Sequence, residues 1–245
     1  MPRLDKLISD QLETRTRAQD AIKAGRVLVN GKVINKPSFE VGENDQIEIR
    51  EAEHDFVSRA GGKLEAALEE WPVDLTGKVC LDVGASTGGF TQVCLEHGAR
   101  KVYALDVGTM QLSNKLREDE RVVCMENTNA RDLKKDWFEE PIDFLCMDVS
   151  FISAETILSA VLEEIHPHDM VILIKPQFEL GPSALNKKGI VKKEKDRIKA
   201  LEQARAFLKQ YYPSIRSILS PVAGRGGNLE YLVWCSDQKG KGKHD

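Results

Sequence analysis

Four charged side chains, Lys63, Asp148, Lys175 and Glu230, and one glycine-rich turn, LDVGASTGGF at residues 81–90, are the parts of this 245-residue chain that could do chemistry. The turn follows an apolar stretch, Val79 to Val83, and places Gly84, Gly88 and Gly89 ahead of a helical pattern. A strand that runs into glycines and then a helix is where an open α/β sheet binds a nucleotide-like ligand. Glycine lets the backbone come close to the ligand or adopt positive φ, and the helix aims free N–H groups at it. The spacing G-x-x-x-G-G departs from the dinucleotide fingerprint G-x-G-x-x-G, and no Gly-Lys-Ser/Thr follows to form a phosphate loop. Neither NAD nor ATP is favoured. The next strand pattern, KVYALDV, ends at Asp106, where a carboxylate can accept hydrogen bonds from both hydroxyls of an adenosine ribose. S-adenosylmethionine carries no phosphate and needs no lysine in the turn. It is the expected cofactor, with Asp82, Gly84, Ser86, Gly88, Gly89, Phe90 and Asp106 as its expected contacts.

The charged four occupy positions that such a sheet reserves for function. Asp148 ends a strand in CMDVS, Lys175 ends the next in LIKPQF, Glu230 begins the last in NLEYLVW, and Lys63 opens a helix in SRAGGKL. The ligand crevice of an open sheet lies outside the carboxyl ends of its parallel strands, so Asp148 and Lys175 should face the same ligand as Gly84. Strand and helix patterns alternate from Lys78 onward, which predicts an α/β fold: a Rossmann-like, doubly wound, mostly parallel sheet. Its last two strands are close enough to pair as a hairpin, giving one antiparallel edge strand whose start brings Glu230 to the crevice. Leu64, Ala67, Leu68 and Trp71 should face the core from the first helix, which Pro72 ends.

A net charge of −4 excludes a wholly basic nucleic-acid binder but not a local basic face. The five cysteines lack any C-x-x-C and mostly sit in apolar runs, which suits buried free thiols in a reducing compartment. No zinc spacing is present, so no metal is expected, and His166 and His168 flank Pro167 as loop residues. The longest apolar runs fall far short of the ~20 residues that cross a bilayer, and MPRLDKLISD is unlike a signal peptide. A cytoplasmic protein with no membrane partner is expected.

Residues 1–50 read as a separate small α+β unit. Leu4, Leu7, Ile8 and Leu12, then Ala18, Ala21 and Ile22, recur at helical spacing, and RVLVNGKVI is a hairpin around Asn30-Gly31. Residues 1–36 hold eight lysines and arginines against four carboxylates, a local charge of +4. On the strength of RLDKLI and TRTRAQDAIKAGRVLVNGKVI, this unit resembles the S4 RNA-binding domain. Arg3, Arg15, Arg17, Lys23, Arg26 and Lys32 are the candidate RNA contacts, since such cations bind phosphates without reading sequence. A charged linker at 51–57 leads to the second domain, 58–236, and a polar tail, 237–245, follows.

The order Lys63, Asp148, Lys175, Glu230, with SRAGGKL before the glycine turn, resembles the K-D-K-E tetrad of FtsJ-like RNA ribose 2′-O-methyltransferases. An S4 domain joined to such a domain resembles the TlyA family, which is also described as haemolysin A. One departure is Thr87-Gly88-Gly89, where FtsJ-like enzymes commonly carry Pro-Gly-Gly. The resemblance implies methylation of a cytidine ribose in ribosomal RNA, with a ribosomal subunit or assembly intermediate as substrate. A 2′-hydroxyl is a poor nucleophile, so the transfer calls for a base and for charge that stabilises a developing alkoxide. Lys175 is the candidate base, kept available as neutral amine by Lys63 nearby and by burial. Asp148 and Glu230 would orient the two lysines, and Asp148 would also help place the methyl donor. The family pattern puts an adenine contact in TNARDL, where Asn129 or Asp132 could serve and Asn129 is preferred. The basic stretch 186–199 is expected to border the RNA path. Two rival classes remain at this stage: a pore-forming haemolysin, which the lack of spanning segments argues against, and a noncatalytic RNA-binding assembly factor, which the complete tetrad argues against.

Overall fold

The computed structural model describes residues 1–12, 15–50 and 56–238, apart from the side chains of Thr16, Arg17 and Arg225. Most of the expected linker, most of the polar tail and the Arg17 side chain therefore lie outside the described residues. The chain divides into two compact units, Met1–Ser58 and Arg59–Asp245.

In the first unit, α1 (Leu4–Leu7) and α2 (Arg15–Lys23) precede β1 (Val27–Val29), β2 (Lys32–Val33) and β3 (Ile47–Ile49), in an antiparallel sheet of order β2-β1-β3. Asn30 and Gly31 both take positive φ, 51° and 74°, as a two-residue hairpin turn of this twist requires. Leu4, Ile8, Ala18, Ala21, Ile22, Val27, Val29 and Val41 form the core. Leu7, grouped with that stripe in the sequence, is instead exposed.

The second unit runs α3 (Gly61–Glu70), β4 (Val79–Val83), α4 (Gly89–Glu96), β5 (Lys101–Leu105), α5 (Asn114–Arg117), β6 (Val122–Met125), β7 (Phe144–Met147), α6 (Ala154–Glu164), β8 (Asp169–Ile174), α7 (Pro176–Glu179), α8 (Glu194–Leu208), β9 (Ser214–Leu219) and β10 (Tyr231–Ser236). Its seven strands are ordered β6-β5-β4-β7-β8-β10-β9. The first five are parallel, and β10 is antiparallel to both its neighbours. The expected antiparallel hairpin thus closes one side of the sheet, with β10 set between β8 and the outermost strand β9. Strands β4 and β7 are buried throughout, which is why they read as unbroken apolar runs. Helix α3 stops where Pro72 forces Trp71 into extended backbone, and Trp71 then stacks on Trp234 of β10 with ring centroids 6.0 Å apart.

From β4 the chain winds outward through β5 and β6, then returns to place β7 and β8 on the other side of β4. The reversal makes the carboxyl ends of β4 and β7 the switch point, where an open sheet leaves a ligand crevice.

Candidate active site

Strand register brings the candidate residues to that end of the sheet. Val83 pairs with both Leu105 and Met147, so Gly84, Asp106 and Asp148, one residue further along each strand, emerge together. Ile174 pairs with Tyr231 across the antiparallel boundary, so Lys175 and Glu230 also leave the sheet side by side. Gly84 has φ +83°, and a Cβ there would lie 2.7 Å from the Asp148 carbonyl oxygen. Only glycine permits that approach.

The tetrad resolves into two ion pairs. Lys63 Nζ donates to Glu230 Oε2 at 2.7 Å, both side chains being almost wholly buried. Lys175 Nζ lies 2.5 Å from Asp148 Oδ1 and donates to Ser150 Oγ at 2.8 Å. The pairs are tied together through Gln177, two residues past Lys175, whose Nε2 donates to Glu230 Oε1 at 3.1 Å. Gly224 leaves the room that this carboxylate occupies: a Cβ there would collide with Glu230 Oε1. Each lysine therefore faces its own carboxylate. Ser150 and Gln177 were not anticipated, because their partners become neighbours only in the folded sheet.

Phe151 was also missed. It is 90% exposed, has φ +66°, and meets Phe178 at 5.1 Å between ring centroids. Phe178 in turn lies under Lys175, with Nζ 5.9 Å from the ring centre. An exposed aromatic ring held in a strained backbone beside a charged pair is a surface on which a base can stack.

On the cofactor side, Ser86 adopts φ +48°, and its N–H donates to Asp106 Oδ2 at 2.8 Å, while Gly108 N–H donates to Oδ1 at 2.7 Å. Each Asp106 oxygen keeps further acceptor capacity, which suits a ribose diol. An open pocket of about 450 Å³ lies beyond β6, lined by Met125, Asn127, Thr128, Asn129, Asp132 and Trp137. Asn129 Oδ1 accepts from Arg131 N–H at 3.1 Å, which turns the amide within this pocket. With a carboxylate and amides for a ribose and a base, and no lysine or arginine in the glycine turn, the donor set fits a phosphate-free adenosyl group. Gly88, at φ +96°, begins α4 under Leu112 and Leu116, and Gly89 is buried as the first residue of that helix.

Two of the expected cofactor contacts are buried. Asp82 is wholly buried, and its Oδ2 accepts from Thr91 Oγ1 of α4 at 2.7 Å. Phe90 is 2% exposed and packs inward from the same helix. Both anchor α4 against the sheet, and both side chains are enclosed by protein. Two of the RNA candidates share one partner. Arg3 and Arg15 both donate to the buried carboxylate of Asp5, at 3.0 and 3.1 Å, and Gln19 Nε2 donates to it at 2.8 Å. The Arg3 guanidinium, with Gln19 and Arg15, holds the Asp5 carboxyl well below the usual range. Arg26 is half-buried and donates to the Arg50 carbonyl oxygen at 3.0 Å, whereas Lys23 and Lys32 are exposed. The basic stretch shows Lys187, Lys188, Lys192 and Lys193 to solvent. It is pinned by Asn228, which accepts from Val191 N–H and donates to the Gly189 carbonyl oxygen, both at 3.0 Å. Asn228 stands two residues before Glu230, so the basic loop is fastened beside the tetrad.

Residues 56–236 match the model of the FtsJ-like methyltransferase domain, and residues 2–47 match that of the S4 domain. The chain belongs to the FtsJ-like methyltransferase family. Among relatives of this S4-bearing, FtsJ-like arrangement, Hemolysin A of Brachyspira hyodysenteriae is 42% identical over 94% of this chain and 98% of its own. The 16S/23S rRNA (cytidine-2′-O)-methyltransferase TlyA of Mycobacterium tuberculosis is 39% identical over 92% of this chain and 85% of its own. A solved structure described as a candidate hemolysin from Streptococcus thermophilus superposes with a TM-score of 0.76 at 38% identity, covering 96% of this chain and 88% of that one.

Among the described residues, Cys80, Cys94, Cys146 and Cys235 are buried free thiols and Cys124 is half-buried, and no cluster of three or more His, Cys, Asp or Glu is arranged to hold a metal ion. His166 and His168 both lean on Asp237.

Burial pushes the Asp82 carboxyl up to about 7, against the pull of the Thr91 hydrogen bond and with added repulsion from Asp148. The folded chain holds this proton more tightly than the unfolded chain, so the contribution of Asp82 to stability is complete below pH 3.8 and is lost as pH rises through about 7. Denaturant titrations across that window should show a shallower pH dependence for Asp82→Asn than for the wild type; identical slopes would contradict the assignment.

Proposed function

We propose that the chain transfers a methyl group from S-adenosylmethionine to the 2′-hydroxyl of a ribose, a cytidine by analogy with the TlyA relative, in ribosomal RNA. The observation that carries this reading is the pairing of Lys175 with Asp148 and of Lys63 with Glu230 at the switch point of a family methyltransferase domain. The S4 domain engages structured RNA, and a ribosomal subunit or assembly intermediate in the cytoplasm presents it.

Asp106 takes the ribose hydroxyls of the cofactor, the turn from Gly84 to Ser86 leaves backbone open to it, and Asn129 faces the adenine. When bound, S-adenosylmethionine supplies a methyl already activated on a sulfonium. Lys175, after giving up its own proton to solvent, accepts the proton of the 2′-hydroxyl as that oxygen takes the methyl. Asp148 and Ser150 hold Lys175 in line and stabilise the ammonium that results. Lys63 supplies positive charge to the developing alkoxide and is itself kept in place by Glu230. Phe151 stacks on the target base, turned out of its helix so that the hydroxyl can be reached. Alignment of hydroxyl with methyl is worth up to about 7–11 kcal/mol, and a positioned base contributes roughly 10²–10⁴-fold. Among the described residues, no helix is long and apolar enough to cross a membrane.

The direct test is transfer of labelled methyl from S-adenosylmethionine to purified ribosomal subunits that lack the modification. The wild type should place label in a 2′-O-methyl nucleotide, and Lys175→Ala should lower kcat by roughly 10²–10⁴-fold. Label that appears elsewhere, or full activity in the variant, would defeat the reading. Replacement of Lys187, Lys188, Lys192 and Lys193 by Gln should weaken RNA binding and reduce its salt slope by about 0.7–0.9 for each phosphate no longer neutralised. Unchanged slopes would remove this loop from the RNA path.

A further inference from the structure

Glu126 lies just past β6, outside the two ion pairs, and organises a whole loop. Its carboxylate accepts three successive backbone amides, from Met110 at 2.8 Å, Gln111 at 2.7 Å and Leu112 at 2.9 Å. Arg117 Nη2 of α5 approaches it at 2.9 Å. The Leu112 amide and Arg117, with the other two amides, hold the Glu126 carboxyl down at about 2, so it is charged at every pH near neutrality.

The stretch that it grips, residues 107–113, contains no helix or strand, leaves Val107 and Met110 exposed at 74% and 82%, and sets Met110 at φ +52°. A loop with so little apolar burial depends on polar anchors for its shape. Its inner side meets the cofactor cleft at several points. Gly108 N–H donates to Asp106, Ser86 Oγ donates to Gln111 Oε1 at 3.2 Å, and Ser113 N–H donates to the Thr87 carbonyl oxygen at 3.2 Å. Leu112 and Leu116 cover Gly88 so closely that a Cβ there would lie 2.8 and 2.3 Å from their methyl carbons.

We propose that Glu126 is a positioning residue for cofactor binding: by clamping residues 110–112 it holds the loop against Asp106, Ser86 and Gly88, and so sets affinity for the adenosyl group without touching it. The inference rests on the S-adenosylmethionine assignment above. A carboxylate that gathers three amides cannot be replaced by solvent without loosening all three. The clamp acts on the wall of the cleft and leaves Lys175 and its partners where they are, so affinity and turnover should separate.

The test is calorimetric titration of the full chain with S-adenosylmethionine, with kcat at saturating cofactor and hydrogen exchange of the loop amides measured in parallel. Glu126→Ala should raise the Kd by about tenfold or more, since hydrogen bonds to a charged acceptor are removed. It should expose amides 110–112 to exchange, keep β4 and β7 protected and leave kcat unchanged. Glu126→Gln keeps the shape and one acceptor oxygen, so it should fall between wild type and Glu126→Ala; it also carries the test if the alanine variant does not fold. Loss of protection at 110–112 with an unchanged Kd would overturn the inference, as would a fall in kcat with the Kd intact. No binding by the wild type would overturn the cofactor assignment and this inference with it, whereas tight binding by wild type and both variants alike would overturn this inference alone.

Discussion

The site depends on how closely two strand ends meet at the switch point. At Gly84 the backbone passes so near the Asp148 carbonyl that any side chain would collide with it. That approach sets the turn proposed to receive the cofactor against the strand that carries Asp148, the partner of Lys175. Parallel register then brings Asp106 to the same level from β5, and antiparallel register brings Glu230 alongside Lys175 from β10. The proposed catalytic groups are thus placed by hydrogen-bonded ladders rather than by loops, as the small tolerances of methyl transfer would demand.

The second constraint is electrostatic. Four charges at one end of a sheet, three of them buried, are tolerable only if paired, since removing one partner of a buried pair costs about 3–5 kcal/mol. Lys63 with Glu230 and Lys175 with Asp148 meet that condition, while Gln177 donates one hydrogen bond to Glu230 and Ser150 accepts one from Lys175. Such pairs add little to stability, so their worth lies in holding two lysine side chains at fixed points. The first unit uses the same device: buried Asp5 gathers Arg3 and Arg15 and leaves each guanidinium about half exposed. A buried carboxylate that orients basic side chains therefore recurs in both units.

The architecture was legible in the sequence because it is written in local patterns. Alternating apolar runs and helical stripes announced the doubly wound sheet, Asn30-Gly31 announced the hairpin, and charged residues at strand ends announced Lys175, Asp148 and Glu230 as neighbours. What stayed hidden was the destination of side chains whose partners are distant in sequence. Asp82 and Phe90 sit in the most informative motif yet are enclosed by protein, Asp82 beneath the Thr91 hydroxyl of α4. Arg3 and Arg15 look like free cations until Asp5 is found beneath them. Glu126 is an ordinary carboxylate after a strand, and its three amides come from a loop with no regular structure. Positive φ at Ser86, Met110 and Phe151 has no glycine to signal it.

The central claim is that methyl donor and base meet at the ends of β4, β7 and β8. A crystal structure of the chain bound to S-adenosylhomocysteine tests it most directly. The account predicts the ribose hydroxyls on Asp106 and the sulfur turned toward Lys175 and Asp148. A ligand seated elsewhere, or one whose sulfur faces away from Lys175, would contradict it.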